Sequence, residues 1–287
     1  MAEGEAVSND FFIIIDRLCE TLDYRIDAWR EEIKKHQNKL SIFGASSKCK
    51  KLSQELLVNR LTVAYDLAAA FWYLHEHKLV YRDIKPANIG FDHRGMLFWV
   101  WRHLFKCLNL TLLQRPQKTG DVKVFDFGLC KNLSPTLKAY DGGYGYRLTG
   151  QAGSLPYMAP EVVLCKTYDS KCDVFSFAIL LWEILSLQGC CKGYTPEKYV
   201  DRVTIHQIRF PIKKSWPPLV RLMIPEAWDD DPKKRPDMKR VAILIRGDLN
   251  LMTADESVLH RTSHMIDRSR HESVYDVKST STCIVDE

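Results

Sequence analysis

The sequence predicts an α+β fold in which helix far outweighs strand. Residues 170–185 form a nearly all-apolar run, which is typical of a helix buried on every side. Residues 53–77 carry apolar side chains at spacings of three and four, the pattern of an amphipathic helix, with Ser53 as its expected N-cap. The apolar run 11–15 and the alternating segment 121–126 are short enough to be strands.

The rest of the N-terminal half predicts one further helix and a loop. Apolar side chains recur at helical spacing from Leu22 to Ile33, and Thr21 precedes them as a cap. Residues 34–51 are rich in Lys and Ser and favour a surface loop.

Bulk composition narrows the class of protein. With 287 residues and 46% hydrophobic content, the chain can form one or two compact units with a real core. The nine cysteines lack metal-ligand spacing, and no signal peptide is recognisable, so we expect reduced thiols and a cytoplasmic or nuclear location. The formal net charge of +5 is mild, and once the +4 from residues 96–120 is discounted it argues against a nucleic-acid partner.

Three short motifs occur in a fixed order. Residues 81–90 read Tyr-Arg-Asp-Ile-Lys-Pro-Ala-Asn-Ile-Gly, residues 126–128 read Asp-Phe-Gly, and residues 159–161 read Ala-Pro-Glu. Each motif alone is weak, since Asp83 and Asn88 could simply form turns around a proline. The ordered set resembles the catalytic loop, metal-binding triplet and activation-segment end of eukaryotic protein kinases. Residues 153–161 look most like the tyrosine-kinase-like branch of Ser/Thr kinases.

The resemblance implies a kinase-like fold, mainly the helical C-terminal lobe with a remnant of the N-terminal sheet. It also implies ATP and Mg²⁺ as cofactors and a protein as substrate. Asp83 would be the catalytic base and Lys85 would contact the transferred phosphate. Asn88 and Asp126 would be metal ligands, because their oxygens suit Mg²⁺. The hinge to the adenine ring would lie at residues 16–18, with Asp16 and Leu18 in the ATP site.

The resemblance extends to substrate class and regulation. Lys85 and Ser154 match residues of Ser/Thr kinases, so the expected acceptor is Ser or Thr. Arg82 matches an arginine that binds a phosphate on the activation segment. Thr149 is the favoured phosphorylation site in this segment, which predicts an upstream kinase as a partner.

Two further matches are structural. Asp173 corresponds to a buried aspartate that caps the backbone of the catalytic loop, and Glu161 is expected to pair with Arg235. Residues 233–235, Lys-Lys-Arg, could alternatively form a basic patch for nucleic acid, but the aspartates before them and the flanking prolines disfavour that interpretation.

The chain departs from the family at its N-terminal side. No G-x-G-x-x-G loop or Val-Ala-x-Lys precedes Phe11, and in the family these parts cover and bind the phosphates. We therefore expect weak ATP binding, and the alternative function is a catalytically inactive, pseudokinase-like binding module. The expected domains are a disordered segment 1–10, the kinase domain 11–247 and a flexible polar tail 248–287.

A second departure lies between the first two motifs. Asn88 and Asp126 are 38 positions apart, whereas about 13 is common in the family. Removal of residues 96–120 would restore the family spacing and leave an ordinary hairpin. The segment is therefore interpreted first as a retained intron or gene-model error. The alternatives are an amphipathic surface insertion that docks a partner or membrane surface, and a transmembrane span, which Arg102, His103 and Lys106 disfavour.

Overall fold

Helices dominate the structure, a computed structural model that describes residues 18–43, 47–92, 122–139 and 143–253. The strands are β1 (Glu20–Thr21), β2 (Leu79–Val80), β3 (Ile89–Phe91), β4 (Val122–Val124) and β5 (Lys131–Asn132). The helices are α1 (Leu22–Phe43), α2 (Ser47–Glu76), α3 (Pro160–Val163), α4 (Lys171–Ser186), α5 (Pro196–Tyr199), α6 (Pro218–Ala227) and α7 (Met238–Thr253). A π-helical turn, Val200–Ile205, follows α5. The predicted mixed, mainly helical fold is confirmed.

Helix α4 forms the centre of the hydrophobic core. Its residues from Cys172 to Ser186 are all buried, as expected for a helix whose sequence is apolar on every face. It packs against α2 and α6. The helix ends where Leu187 adopts a left-handed conformation (φ 56°), and the Leu187 N–H caps it by donating to the Glu183 carbonyl. Side chains at the N-terminal end of α4 can therefore be held rigidly in the interior.

Helices α1 and α2 are longer than the sequence patterns predict. Helix α1 continues to Phe43 and α2 already begins at Ser47, so the prediction of a loop over residues 34–51 is wrong, as is Ser53 as an N-cap. The physical reason is that Lys and Gln favour helix, and neither helix contains Gly or Pro. A polar composition alone does not stop a helix.

Two small antiparallel sheets flank the loop that contains Asp83. One has the strand order β1-β3-β4, with Phe91 opposite both Glu20 and Val122. The other pairs β2 with β5. The pairing of β3 with β4 agrees with the hairpin expected across the insertion. The insertion itself, residues 96–120, and the predicted strand 11–15 lie outside the described residues.

Helix α7 sets the C-terminal limit of the described chain. It continues to Thr253, past the expected end of the domain at residue 247. Asp248 is fully buried and accepts hydrogen bonds from the backbone N–H groups of Leu219 (3.1 Å) and Val220 (2.7 Å). The boundary placed at 248 is therefore wrong, because Asp248 closes the start of α6. Among the described residues, no helix is both long and apolar enough to cross a membrane.

Candidate active site

A buried carboxylate on α4 binds the backbone of the loop between β2 and β3 and holds it in place. Asp173 is 0% exposed and accepts hydrogen bonds from the backbone N–H groups of Tyr81 and Arg82, both at 2.8 Å. Its Oδ2 also lies 2.9 Å from Nε2 of His75, a residue in the last turn of α2. Since α4 and α2 are core helices, the backbone before Asp83 takes its position from the interior of the fold.

Asp83 lies at the centre of a polar cluster within this loop. Its Oδ2 is 2.7 Å from the Lys85 ammonium and accepts a hydrogen bond of 2.8 Å from the Asn88 amide. The same amide donates to the Asp83 backbone carbonyl at 3.0 Å. The side chain is only 6% exposed, yet its Oδ1 has no hydrogen-bond partner among the described residues. One carboxylate oxygen is therefore held, and the other remains open to a donor.

The protonation state of Asp83 is set by opposing effects. Burial disfavours the charged form, but the hydrogen bonds from Lys85 and Asn88, the nearby Ser154 hydroxyl and the Lys85 charge outweigh burial and lower the pKa of the Asp83 carboxyl below its usual value. At neutral pH the group is therefore an anion with a free oxygen. Such a group can accept a hydrogen bond from an approaching hydroxyl.

Ser154 joins this cluster from the segment that precedes α3. The Lys85 ammonium donates to the Ser154 hydroxyl at 2.9 Å, and so connects Ser154 to Asp83. The preceding residue, Gly153, has a φ of +106°, and a Cβ atom there would lie 2.2 Å from the Arg82 carbonyl oxygen. A glycine is thus required for this segment to approach the catalytic loop closely enough.

Arg82 and Thr149 are brought together through a residue that the sequence motifs did not indicate. The Arg82 side chain donates to the Leu129 carbonyl (2.6 Å) and to the Tyr168 hydroxyl (3.2 Å). Tyr168 in turn donates to the Thr149 carbonyl at 2.7 Å. The Thr149 side chain is exposed. Arg82 therefore lies close to the segment expected to carry a phosphate.

Asp126 follows β4 directly and is positioned quite differently from Asp83. It is exposed and has a φ of 61°. Its carboxylate accepts a hydrogen bond of 3.3 Å from the Gly128 N–H, and no hydrogen bond joins it to Asp83 or Asn88. The connection is through the backbone, because the Phe125 N–H donates to the Asn88 carbonyl at 3.1 Å. This bond brings the Asp-Phe-Gly triplet alongside the catalytic loop.

The side-chain oxygens of Asn88 and Asp126, where the catalytic loop meets the Asp-Phe-Gly triplet, suit a divalent cation such as Mg²⁺. The Asn88 amide nitrogen is used by Asp83, which leaves the amide oxygen as the atom suited to a cation. Asp126 supplies an exposed carboxylate from the neighbouring segment, and hard oxygen ligands of this kind are those that Mg²⁺ prefers. Both residues expected to hold the metal are therefore of the right chemistry and on adjacent segments.

Of the two hinge residues, the structure describes Leu18. Its side chain packs over Gly90 on β3, where an added Cβ would lie 2.5 Å from Leu18 Cδ1. The adjacent Cys19 N–H donates to the Phe91 carbonyl at 2.8 Å. Leu18 thus lies beside the strand that leaves the catalytic loop. Asp16 lies outside the described residues.

Glu161 and Arg235 form the expected ion pair. The Arg235 guanidinium donates to both carboxylate oxygens of Glu161, at 2.6 and 2.8 Å, and both side chains are buried. This fork geometry is the strong form of the Arg–carboxylate interaction. Since Arg235 points into the protein, residues 233–235 do not form a continuous basic patch.

Some site residues carried no recognisable signal in the sequence. Tyr168 and His75 lie far along the chain from their partners Arg82 and Asp173. Neither belongs to a motif or a periodic pattern that marks such a contact. Gly153 could have been found, because it immediately precedes Ser154 in a segment already singled out.

Comparison with known proteins identifies the family. The protein kinase domain model matches residues 41–243, more than half of the chain. A dual specificity protein kinase, shkB, of Dictyostelium discoideum is 33% identical over 184 residues, 63% of this chain and 23% of that protein. The serine/threonine-protein kinase STY46 of Arabidopsis thaliana is 30% identical over 179 residues, 62% of this chain and 25% of that protein.

A mitogen-activated protein kinase kinase kinase of Drosophila melanogaster is 28% identical over 194 residues, 67% of this chain and 14% of that protein. The chain therefore spans a quarter or less of the length of these curated relatives. The family match covers the catalytic loop, the Asp-Phe-Gly triplet and the Glu161–Arg235 pair. The chain belongs to the protein kinase family.

Proposed function

We propose that this chain transfers the γ-phosphoryl group of ATP to Ser or Thr side chains of a protein substrate. The observation that carries the proposal is the Asp83 cluster. One carboxylate oxygen is held by Lys85 and Asn88, while the other is buried without a partner among the described residues. A buried anionic oxygen without a donor is costly, and a substrate hydroxyl would supply that donor.

The proposed reaction forms a bond between the substrate oxygen and the γ-phosphorus and breaks the bond from that phosphorus to ADP. Asp83 orients the hydroxyl and accepts its proton. Lys85 lies between Asp83 and Ser154, where its charge can stabilise the negative charge of the phosphoryl group in transfer. ADP is the leaving group.

Asn88 and Asp126 would hold Mg²⁺ at the junction of the catalytic loop and the Asp-Phe-Gly triplet. Bound there, the cation neutralises phosphate charge. Leu18, beside Gly90, would line the adenine side of the ATP site.

Specificity for Ser or Thr rests on the contact between Lys85 and Ser154 at 2.9 Å and on the serine/threonine kinases among the relatives. Another relative is described as dual specificity. Phosphorylation of matched peptides that carry Ser, Thr or Tyr at the acceptor position therefore tests this specificity. We expect Ser and Thr peptides to be phosphorylated and the Tyr peptide to be poor.

Regulation is proposed through Thr149. A phosphate on its exposed side chain would add charge of about −1.5 to −2 near Arg82 and could order the segment against it. An upstream kinase would then be a partner. A phosphopeptide map of active protein without modification at Thr149 would contradict this part of the proposal.

The test is transfer of radiolabel from ATP to a generic basic protein. Asp83→Asn keeps the shape but removes the proton acceptor, and we expect a loss of about 10²- to 10⁴-fold. Asp126→Asn removes the negative charge of the carboxylate that would bind Mg²⁺ and should abolish transfer. Asp201→Asn alters an exposed carboxylate of the π-helical turn and is the matched control. Label that persists in the Asp83 and Asp126 variants would argue against the proposal.

A binding module without catalysis is the second candidate, and the surface beside Asp126 favours it. Phe127 is 47% exposed and Leu129 is 37% exposed. Large apolar side chains exposed side by side are typical of a surface that binds another protein. A binding module would retain a partner on this surface and give no transfer. Measurement of Mg-ATP binding by calorimetry, together with the radiolabel assay, separates the two functions.

A further inference from the structure

A cavity of about 340 Å³ lies on the side of α3 that carries the Glu161–Arg235 pair. Its wall is formed by α3 and the turn after it, the π-helical turn Val200–Ile205 and the loop before α7. None of Asp83, Lys85, Asn88 and Asp126 lines it. Pockets that bind small molecules begin at about 300 Å³, so the cavity has the size of a small organic ligand rather than of a packing defect.

The cavity is lined by a buried hydroxyl that no described residue engages. Thr204 is 6% exposed, and its Oγ1 has no hydrogen-bond partner among the described residues. A buried polar group without a partner is unfavourable and uncommon. The Tyr144 hydroxyl, also in the lining, is buried, and the Asp169 carboxylate lies next to it as an acceptor within the protein. Burial, the neighbouring Asp169 charge and a hydrogen bond to Asp169 raise the pKa of Tyr144, so its phenol keeps its proton.

Two lysines supply positive charge at the wall of the cavity. Lys166 and Lys233 line the cavity, and neither ammonium group forms an ion pair within the described residues. The Lys233 ammonium lies 5.7 Å from the centre of the Tyr144 ring, so it is close to the phenol side chain. The two lysine ammonium groups and the unpartnered Thr204 hydroxyl together favour an anionic oxygen ligand.

The carboxylates in the same wall are largely neutralised by arginines outside it. Glu161 is held by both nitrogens of Arg235, and Asp230 is 2.6 Å from Arg209. Asp231 accepts a backbone hydrogen bond of 3.0 Å from Lys233 and is the remaining acidic group. Within the described residues, the lining therefore retains two lysines without ion pairs and one carboxylate without an arginine, with Asp169 beside Tyr144.

We propose that this cavity binds a small organic anion, a phosphate monoester or a carboxylate. Its charged oxygens accept hydrogen bonds from Thr204 and Lys233, and its apolar part lies against Leu164 and Pro232. The site goes beyond phosphoryl transfer, because it shares no residue with the Asp83 cluster. Occupancy would hold the segment that carries Tyr144 against α3, next to the Glu161–Arg235 pair.

Isothermal titration calorimetry of the full 287-residue chain tests the proposal, with phenyl phosphate, benzoate and inorganic phosphate as probes at constant ionic strength. We expect saturable binding of phenyl phosphate or benzoate. Thr204→Val keeps the shape of the side chain and removes only the hydroxyl. Since that hydroxyl has no partner among the described residues, the variant should fold normally and bind roughly tenfold more weakly, the loss expected for a hydrogen bond to a charged group.

Lys233→Gln should weaken binding by a similar factor, and Lys213→Gln, an exposed lysine elsewhere on the surface, is its matched control. Equal losses in the two lysine variants would mean general attraction to positive charge and would overturn the proposal. So would unchanged affinity in both Thr204→Val and Lys233→Gln, or no saturable heat with any of the three probes. Inorganic phosphate that binds as tightly as phenyl phosphate would identify free phosphate as the ligand and still support an anion site.

Discussion

The catalytic loop and the Asp-Phe-Gly triplet lie side by side but are held in opposite ways. The loop is fixed by the fully buried Asp173, and Asp83 is 6% exposed within a network of side chains. Asp126 is exposed, and its carboxylate accepts a hydrogen bond from its own turn at Gly128. The fold itself therefore sets the position of the proposed base, whereas the position of the metal carboxylate is left to the groups that bind there.

This difference has a physical basis. A fully buried carboxylate needs hydrogen bonds to offset its desolvation, so Asp173 favours the loop conformation that supplies them. An exposed carboxylate is already hydrated and imposes no such condition. Substitutions in the two regions should consequently differ in what they change, stability in the first and ligand binding in the second.

The largest effect is expected for Asp173→Ala. The substitution leaves the backbone N–H groups of Tyr81 and Arg82 without an acceptor inside the protein and removes the partner of His75. We expect the free energy of unfolding to fall by about 3 to 5 kcal/mol. Urea unfolding measures it, with Asp201→Ala on the surface as a control that should change stability by less than about 0.5 kcal/mol. Equal effects in the two variants would contradict the proposed role of Asp173.

Gly153→Ala tests the contact between the catalytic loop and the segment before α3. An added Cβ would meet the Arg82 carbonyl oxygen at 2.2 Å, and the φ of +106° is unfavourable for alanine. We expect a loss of about 2 kcal/mol or more in the free energy of unfolding, together with loss of the Lys85–Ser154 hydrogen bond.

Gly193→Ala is the matched control for this substitution. Gly193 also has a positive φ, of +78°, but nothing lies within 4 Å of its added Cβ. It should therefore show only the backbone cost, about 1 kcal/mol. The difference between the two variants isolates the clash with Arg82, and a difference near zero would mean that the loop can move away without cost.

The sequence predicts local features of this molecule well and long-range ones poorly. The buried helix α4 was predictable because its apolar residues leave no polar face. The cluster of Asp83, Lys85 and Asn88 was predictable because the three residues lie within one short motif. By contrast, the loop predicted at 34–51 is helical, because polar residues without Gly or Pro remain compatible with helix.

Contacts between distant segments had no signal of their own. Tyr168 connects Arg82 to Thr149 across elements that only the tertiary fold brings together. Thr204 lines a cavity formed by separate segments, and nothing in its sequence surroundings marks its hydroxyl as unpartnered. The pairs that were anticipated, such as Glu161 with Arg235, came from family resemblance rather than from spacing.

A smaller effect on the free energy of unfolding is expected from the titration of Asp83, in the buried region. The pKa of Asp83 is lower in the folded protein than its usual value of 3.8, because hydrogen bonds to the anion outweigh burial. The stabilisation is therefore fully present above the unfolded-state pKa and is lost as the pH falls through the lower folded-state pKa. Asp83→Asn should remove this part of the acid dependence. Urea unfolding of both proteins from pH 6 down to about pH 3 measures it, and parallel curves would contradict the expected shift.

The smallest change in stability is expected for Asp126→Ala, which sharpens the comparison most directly. Because the carboxylate is exposed and bonded only weakly to Gly128, the free energy of unfolding should change by less than about 0.5 kcal/mol. A ligand that binds the folded state stabilises it, and more so as its affinity rises. Mg-ATP should therefore raise the thermal midpoint of the wild-type chain and not that of the variant. A large loss of stability without ligand would instead show that Asp126, like Asp173, is required by the fold.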